Sequence, residues 1–183
     1  MILQNEICYI EINIDETYSV DSADNRHYDV TLNPEHYRHN DFSKTLSIHI
    51  GLYEREFRVA LIGPYHSYDL DCAVLQDDIL TLLQDNMITQ IKITDACLIR
   101  HALLDCLGCN FAIYKVEKGY IIYGEIEITM LDLDFKKQWS FSGRDIFVSI
   151  SDREPFTIRD NLICLYDFEN NYYEIDFKGR QII

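Results

Sequence analysis

Only 3 prolines and 7 glycines occur in 183 residues, too few for a collagen-like repeat or a low-complexity chain. Basic residues are scarce: 16 Lys and Arg stand against 31 Asp and Glu, a formal net charge of −15. A field of that sign repels phosphate backbones, so no nucleic-acid partner is expected. No run of 18 apolar residues occurs, so no membrane span is expected. The opening, Met1 to Glu6, lacks a basic segment followed by an apolar core, so no signal peptide is read and a cytoplasmic location is expected. Phosphate-loop, dinucleotide and Gly-x-Ser-x-Gly fingerprints are missing. No cofactor and no catalytic residue is therefore assigned.

What is present is apolar and aromatic: 48% hydrophobic residues and 13% aromatics, enough to bury a core and to rule out disorder as the main state. The length suits a single domain. The six cysteines lie at positions 8, 72, 97, 106, 109 and 164, and five of them read as small buried hydrophobes in a reducing compartment.

The apolar residues come in short runs with a period of two. Leu46, Ile48 and Ile50 share one face, Phe57, Val59 and Leu61 repeat the pattern, and Ile126, Ile128 and Met130 do so again. Turn residues separate the runs at Asp85-Asn86, Lys118-Gly119, Asp160-Asn161, Asn170-Asn171 and Lys178-Gly179. The pattern predicts an all-β fold of hairpins with antiparallel pairing throughout. One segment also fits a helical stripe, Leu75, Ile79, Leu82, Leu83 and Met87. The internal repeat decides for strands there.

Shifted by 42 residues, the chain matches itself without a gap: Ile121, Glu127, Asp134, Phe135 and Lys136 fall on Ile163, Glu169, Asp176, Phe177 and Lys178. The shift defines three units, 61–102, 103–144 and 145–183, behind an irregular N-terminal part, 1–60, that holds a long polar loop at 18–44. A four-stranded meander of this length needs neighbours on its faces, as in a propeller blade. The run Leu133-Asp-Phe-Lys-Lys-Gln-Trp139-Ser-Phe141 resembles the end of quinoprotein-type blades, and the repeat length is similar to that of WD40-like blades. The resemblance implies antiparallel meanders in a small propeller-like arrangement, with Trp139 buried between neighbouring units. It departs from the family in having one Trp and three or four units, and no quinone-binding residue carries over. A sandwich or barrel of plain meanders remains the alternative.

The candidate binding residues are aromatics set among acids. Tyr65, His66, Tyr68, Asp69 and Asp71 follow Gly63-Pro64, and Tyr166, Asp167, Glu169 and Tyr172 form an acidic hairpin tip. Such mixtures suit recognition of a protein surface. Asp132/Asp134 and Asp167/Glu169 are spaced to serve as acid and base or to bind a cation, but their recurrence along the repeat argues for a structural or solvated role. No metal site is assigned; His36 and His39, three apart in the polar loop that also holds His27, are weak candidates. Cys106-Leu-Gly-Cys109 lacks the second pair a zinc site needs and the βαβ setting of a redox dithiol, and reads as two half-buried thiols about a glycine turn.

Three functions compete. The first is a non-catalytic acidic module that binds a basic protein, an immunity-type inhibitor of a basic toxin being one form. The second is a small metal-dependent hydrolase using His27, His36 and His39. The third is a structural β-protein that self-associates through an open sheet edge.

Overall fold

The alternation of apolar and polar residues is realised as sixteen strands, with no helix among the described residues, which are 1–64, 71–148 and 154–183 of a computed structural model. No helix long and apolar enough to cross a membrane is present among them. The chain divides into two compact units, Met1–Leu103 and Leu104–Ile183.

In the first unit, β1 (Ile2–Gln4), β2 (Cys8–Ile14), β3 (Val30–Leu32), β4 (Ser43–Leu52) and β5 (Glu56–Pro64) form one sheet in the order β1-β2-β4-β5-β3. The meander β6 (Ala73–Gln76), β7 (Ile79–Gln84), β8 (Met87–Lys92) and β9 (Cys97–Leu103) forms a second sheet in sequence order. The N-terminal part is thus an ordered sheet and not irregular. The polar stretch 18–44 is interrupted by β3 and runs into β4. Its first half is pinned by Asp15, which is buried and accepts hydrogen bonds from the Tyr28 and Thr17 hydroxyls, both at 2.7 Å, and pairs with Arg26 at 2.9 Å.

One pairing departs from the antiparallel expectation. Strand β3 runs parallel to β5, with Val30, Thr31 and Leu32 opposite Val59, Ala60 and Leu61. Strand β4 lies between them in sequence, so the connection has the length that parallel pairing needs. The helical stripe is broken by two-residue turns at Asp77-Asp78 and Asp85-Asn86, where Asp77 and Asp85 take left-handed φ of 50°. Leu80 and Leu82 then share a strand face and join Ile10, Ile12, Ile48, Ile50 and Leu61 in one buried cluster between the two sheets. At roughly 1.5–3 kcal/mol for each fully buried aliphatic side chain, such a cluster is the unit's main source of stability.

In the second unit, β10 (Asn110–Val116), β11 (Gly119–Gly124), β12 (Ile128–Leu131) and β13 (Lys137–Phe141) make a four-stranded meander. A three-stranded meander follows, β14 (Phe156–Arg159), β15 (Leu162–Tyr166) and β16 (Tyr172–Asp176). The last residues lie along β16: Gln181 bridges Ile175, and the Ile182 amide donates to the Glu174 carbonyl at 2.7 Å. Ile121, Tyr123, Ile128, Ile163, Leu165, Tyr173 and Ile175 share this unit's core with Phe147 and Phe156.

Meanders recur along the chain, but at no constant spacing. The first turns of the three meanders, Asp77-Asp78, Glu117-Lys118 and Asp160-Asn161, lie 40 and then 43 residues apart. The Asp132 carboxylate accepts the Asp134 and Lys136 amides, its carbonyl accepts the Phe135 amide, and its amide donates to the Lys136 carbonyl. Asp176 makes the same four bonds with Lys178, Gly179 and Arg180. The equivalent of Asp176 is therefore Asp132, 44 residues earlier, and not Asp134. Ile121 and Ile163 are both fully buried in the second strand of their sheets, yet Ile121 stands third in β11 and Ile163 second in β15.

Trp139 is half-buried, not largely buried. Its Nε1 donates to the Phe177 carbonyl at 3.2 Å, and its ring lies on Gly179, where an added Cβ would come within 2.7 Å of it. Trp139 on β13 thus packs against the turn that follows β16.

Candidate functional site

Of the candidate residues, Tyr166, Asp167, Glu169 and Tyr172 are brought together at the β15–β16 hairpin. Tyr166 and Tyr172 are cross-strand partners, with ring centroids 4.8 Å apart. Phe168 and Glu169 are exposed at the tip. Asp167 points inward. It is buried and accepts hydrogen bonds from the Asn171 amide at 2.8 Å and the Tyr173 hydroxyl at 2.8 Å. Burial alone would raise its carboxyl, but the Asn171 and Tyr173 donors outweigh it and hold the group below the ordinary carboxylate range. Asp167 therefore shapes the tip, and Phe168, Glu169 and the tyrosines make its surface.

The strand alternation sets a polar face beside this tip. Arg159, Cys164, Tyr172 and Glu174 share one side of the three-stranded sheet, with Cys164 opposite Glu174. Arg159 Nε lies 3.1 Å from Cys164 Sγ, and its Nη2 donates to the Tyr172 hydroxyl at 2.9 Å. That hydroxyl donates to Glu174 Oε1 at 2.5 Å. The acceptor Glu174, then the Cys164 thiol, push the Tyr172 phenol well above its usual range. The ring is held neutral and fixed in place, as a rigid contact surface requires. A cleft of about 420 Å³ is lined in part by Arg144, Asn171 and Tyr172.

Asp71 is exposed and belongs to the other unit; Tyr65, His66, Tyr68 and Asp69 lie outside the described residues. His36 is an exposed residue with left-handed φ of 58°, in a turn closed by Asn33, and His39 Nδ1 meets Ser19 Oγ at 2.7 Å. No group of three His, Cys, Asp or Glu side chains that could hold a metal occurs among the described residues. None of the six cysteines is in a disulfide. Cys8, Cys72 and Cys164 are buried and Cys106 half-buried, whereas Cys97 and Cys109 are exposed, on an edge strand and beside Gly108. The expectations of five buried cysteines and of a half-buried Cys109 are corrected accordingly.

Reading the sequence missed Arg159 and Cys164, whose signal was the two-residue alternation that places them on the Tyr172 face. It also missed a role for Glu127, a buried carboxylate that accepts the Leu107 amide at 2.9 Å and pairs with Lys137 at 3.0 Å. Burial would raise that carboxyl, and the Leu107, Lys137 and Ser140 donors lower it instead. In the sequence Glu127 is set apart from the chain's many surface acids only by its place beside apolar Ile126 and Ile128 and by its match to Glu169 in the repeat.

No protein-family model matches the chain, and no curated protein matches it in sequence. Among solved structures the chain is similar to the crystal structure of Kluyvelomyces marxianus Hsv2, with a TM-score of 0.44 and 6% identity. The match covers 76% of this chain and 44% of that one. The structure establishes an all-β protein of several small, mainly antiparallel sheets.

Proposed function

We propose that the chain is a non-catalytic acidic protein-binding module whose partner is a basic protein, with an immunity-type inhibitor of a basic toxin as its concrete form. The net charge of −15 carries this reading, and it is unevenly distributed: residues 1–103 hold 7 basic against 17 acidic residues. Such a field speeds encounter with a cationic surface and disfavours a nucleic-acid partner. The hairpin tip, with an exposed Phe168 between the half-buried, paired Tyr166 and Tyr172, offers rigid anchors of the kind that dominate binding energy. The meanders, the repeated aspartate turn and the Trp139–Gly179 contact support a propeller-like arrangement as the scaffold, and a cytoplasmic location suits cysteines that form no disulfide.

The test is a pulldown from source-cell lysate at about 0.05 M and about 0.5 M salt, beside metal analysis of the purified chain. Basic proteins retained at low salt and released at high salt are expected. Stoichiometric zinc with chelator-sensitive hydrolysis would overturn the reading, and so would retention that salt does not weaken.

A further inference from the structure

One end of the first unit gathers four turns. The β1–β2 turn is tied to the β6–β7 turn by Asn5 Nδ2, which donates to the Asp77 carbonyl at 2.8 Å. The Ile93 amide donates to the Asp78 carbonyl at 2.9 Å, which brings in the β8–β9 turn. Arg55, in the β4–β5 turn, donates to the Thr94 carbonyl and lies 3.7 Å from Asp95. Register places this turn beside the first, since Leu52 is opposite Cys8.

Three features coincide there. Tyr53 is 99% exposed, although the hairpin that carries it is fixed at its base by Arg55 and by the Leu52 amide bonded to the Arg55 carbonyl at 2.8 Å. A cleft of about 610 Å³ has Ile7 and Leu75 on its apolar wall and Glu6, Asp77 and Asp78 on its rim. Carboxylates outnumber cations: among the described residues, these turns and their flanks carry Glu6, Glu54, Asp77, Asp78 and Asp95 beside Arg55 and Lys92, and both cations are already engaged, Arg55 with Asp95 at 3.7 Å and Lys92 with Asp78 at 3.8 Å. An apolar wall under a carboxylate rim suits a lysine or arginine side chain, whose stem packs while its head stays among the acids.

We infer that this end is a docking surface for the basic partner, in addition to the hairpin tip of the other unit, with Tyr53 as its projecting anchor and the Ile7–Leu75 cleft as the receptor for a lysine side chain. The inference rests on the proposed function and assigns it a face that sequence motifs did not mark. A second copy of this acidic chain is a poor occupant, because like charges would meet.

The experiment is an amide NMR titration of the full chain with octalysine at low salt, and with fully acetylated octalysine as control. Shifts concentrated at residues 5–7, 52–55, 75–78 and 93–95 are expected, and they should be lost with the acetylated peptide. Tyr53→Ser should weaken binding several-fold without changing thermal stability. Glu6→Gln combined with Asp77→Asn should weaken it about tenfold or more; Asn tolerates the left-handed backbone at 77. Shifts confined to residues 166–174, or spread over both units, would overturn this surface and leave the basic-partner reading standing. Absence of any binding by the unacetylated peptide would overturn both.

Discussion

Trp139 and Gly179 make one contact from two sides. The indole lies where any Cβ at 179 would intrude, and Gly179 also holds φ of +78°, which side chains resist. Gly179→Ala should therefore cost about 1–3 kcal/mol. Trp139→Ala should cost about 2–4 kcal/mol, at or below the range for a fully buried ring because the indole is half-exposed. In the double variant the two losses should fall short of adding, since either change alone removes the contact. Urea denaturation of the three variants checks this. The buried carboxylates Asp15, Glu127 and Asp167 also act residue by residue. Each is held below its ordinary value by donors that outweigh the effect of burial. Their contribution is present in full above the unfolded-state values, near pH 4, and is lost as pH falls through the folded ones. Stability should stay nearly flat from pH 8 to about 5 and fall below about 4. Asp167→Asn should cost about 1–3 kcal/mol at neutral pH and make the acid loss shallower. Denaturant midpoints across pH measure both.

A recurring element is the five-residue turn opened by Asp or Asn. Asn33, Asp132, Asp167 and Asp176 each accept, through a side-chain oxygen, the amide four residues on, and the residue three on is left-handed: His36, Phe135, Asn170 and Gly179. Only the last is the glycine that such backbone favours. His36→Gly should relieve strain and stabilise by about 0.5–1 kcal/mol, with no loss of bound metal. A thermal shift together with metal analysis decides it, and a fall in stability accompanied by loss of a metal would return His36 to the ligand set. The turn also explains what the sequence made legible. Strands were visible because two-residue alternation survives wherever one face is buried, as in Leu46–Ile50. The period was blurred because meander turns differ in length, and a gap-free shift of 42 averages spacings of 40 to 44. Strand β3 was missed because Val30-Thr-Leu32 is too short to show alternation and sits among polar residues. The Tyr166–Tyr172 tip was legible as aromatics among acids, but the inward turn of Asp167 was not, since it depends on Tyr173 and Asn171 closing around it.

For the molecule as a whole, binding of a basic partner should weaken steeply between about 0.05 M and about 0.5 M salt, mainly through slower association, because exposed charges are screened beyond about 8 Å at physiological ionic strength. Stopped-flow association rates measured across that range test this, and a rate indifferent to salt would count against charge steering. The pairing pattern of the first sheet bears on a different property, the order in which the chain folds. In the meanders, strands adjacent in sequence are adjacent in space, so each hairpin closes only a short loop. In the first sheet, Cys8 must find Leu52 and Val30 must find Val59, across excursions that contain other strands. Loop closure over such distances is slow, and it gains nothing until both strands are in place. The meanders should thus acquire hydrogen-exchange protection first, and the amides of β2 and β3 last. The nascent chain makes β2 together with its hairpin partner β1, but its other edge stays open until β4 has emerged.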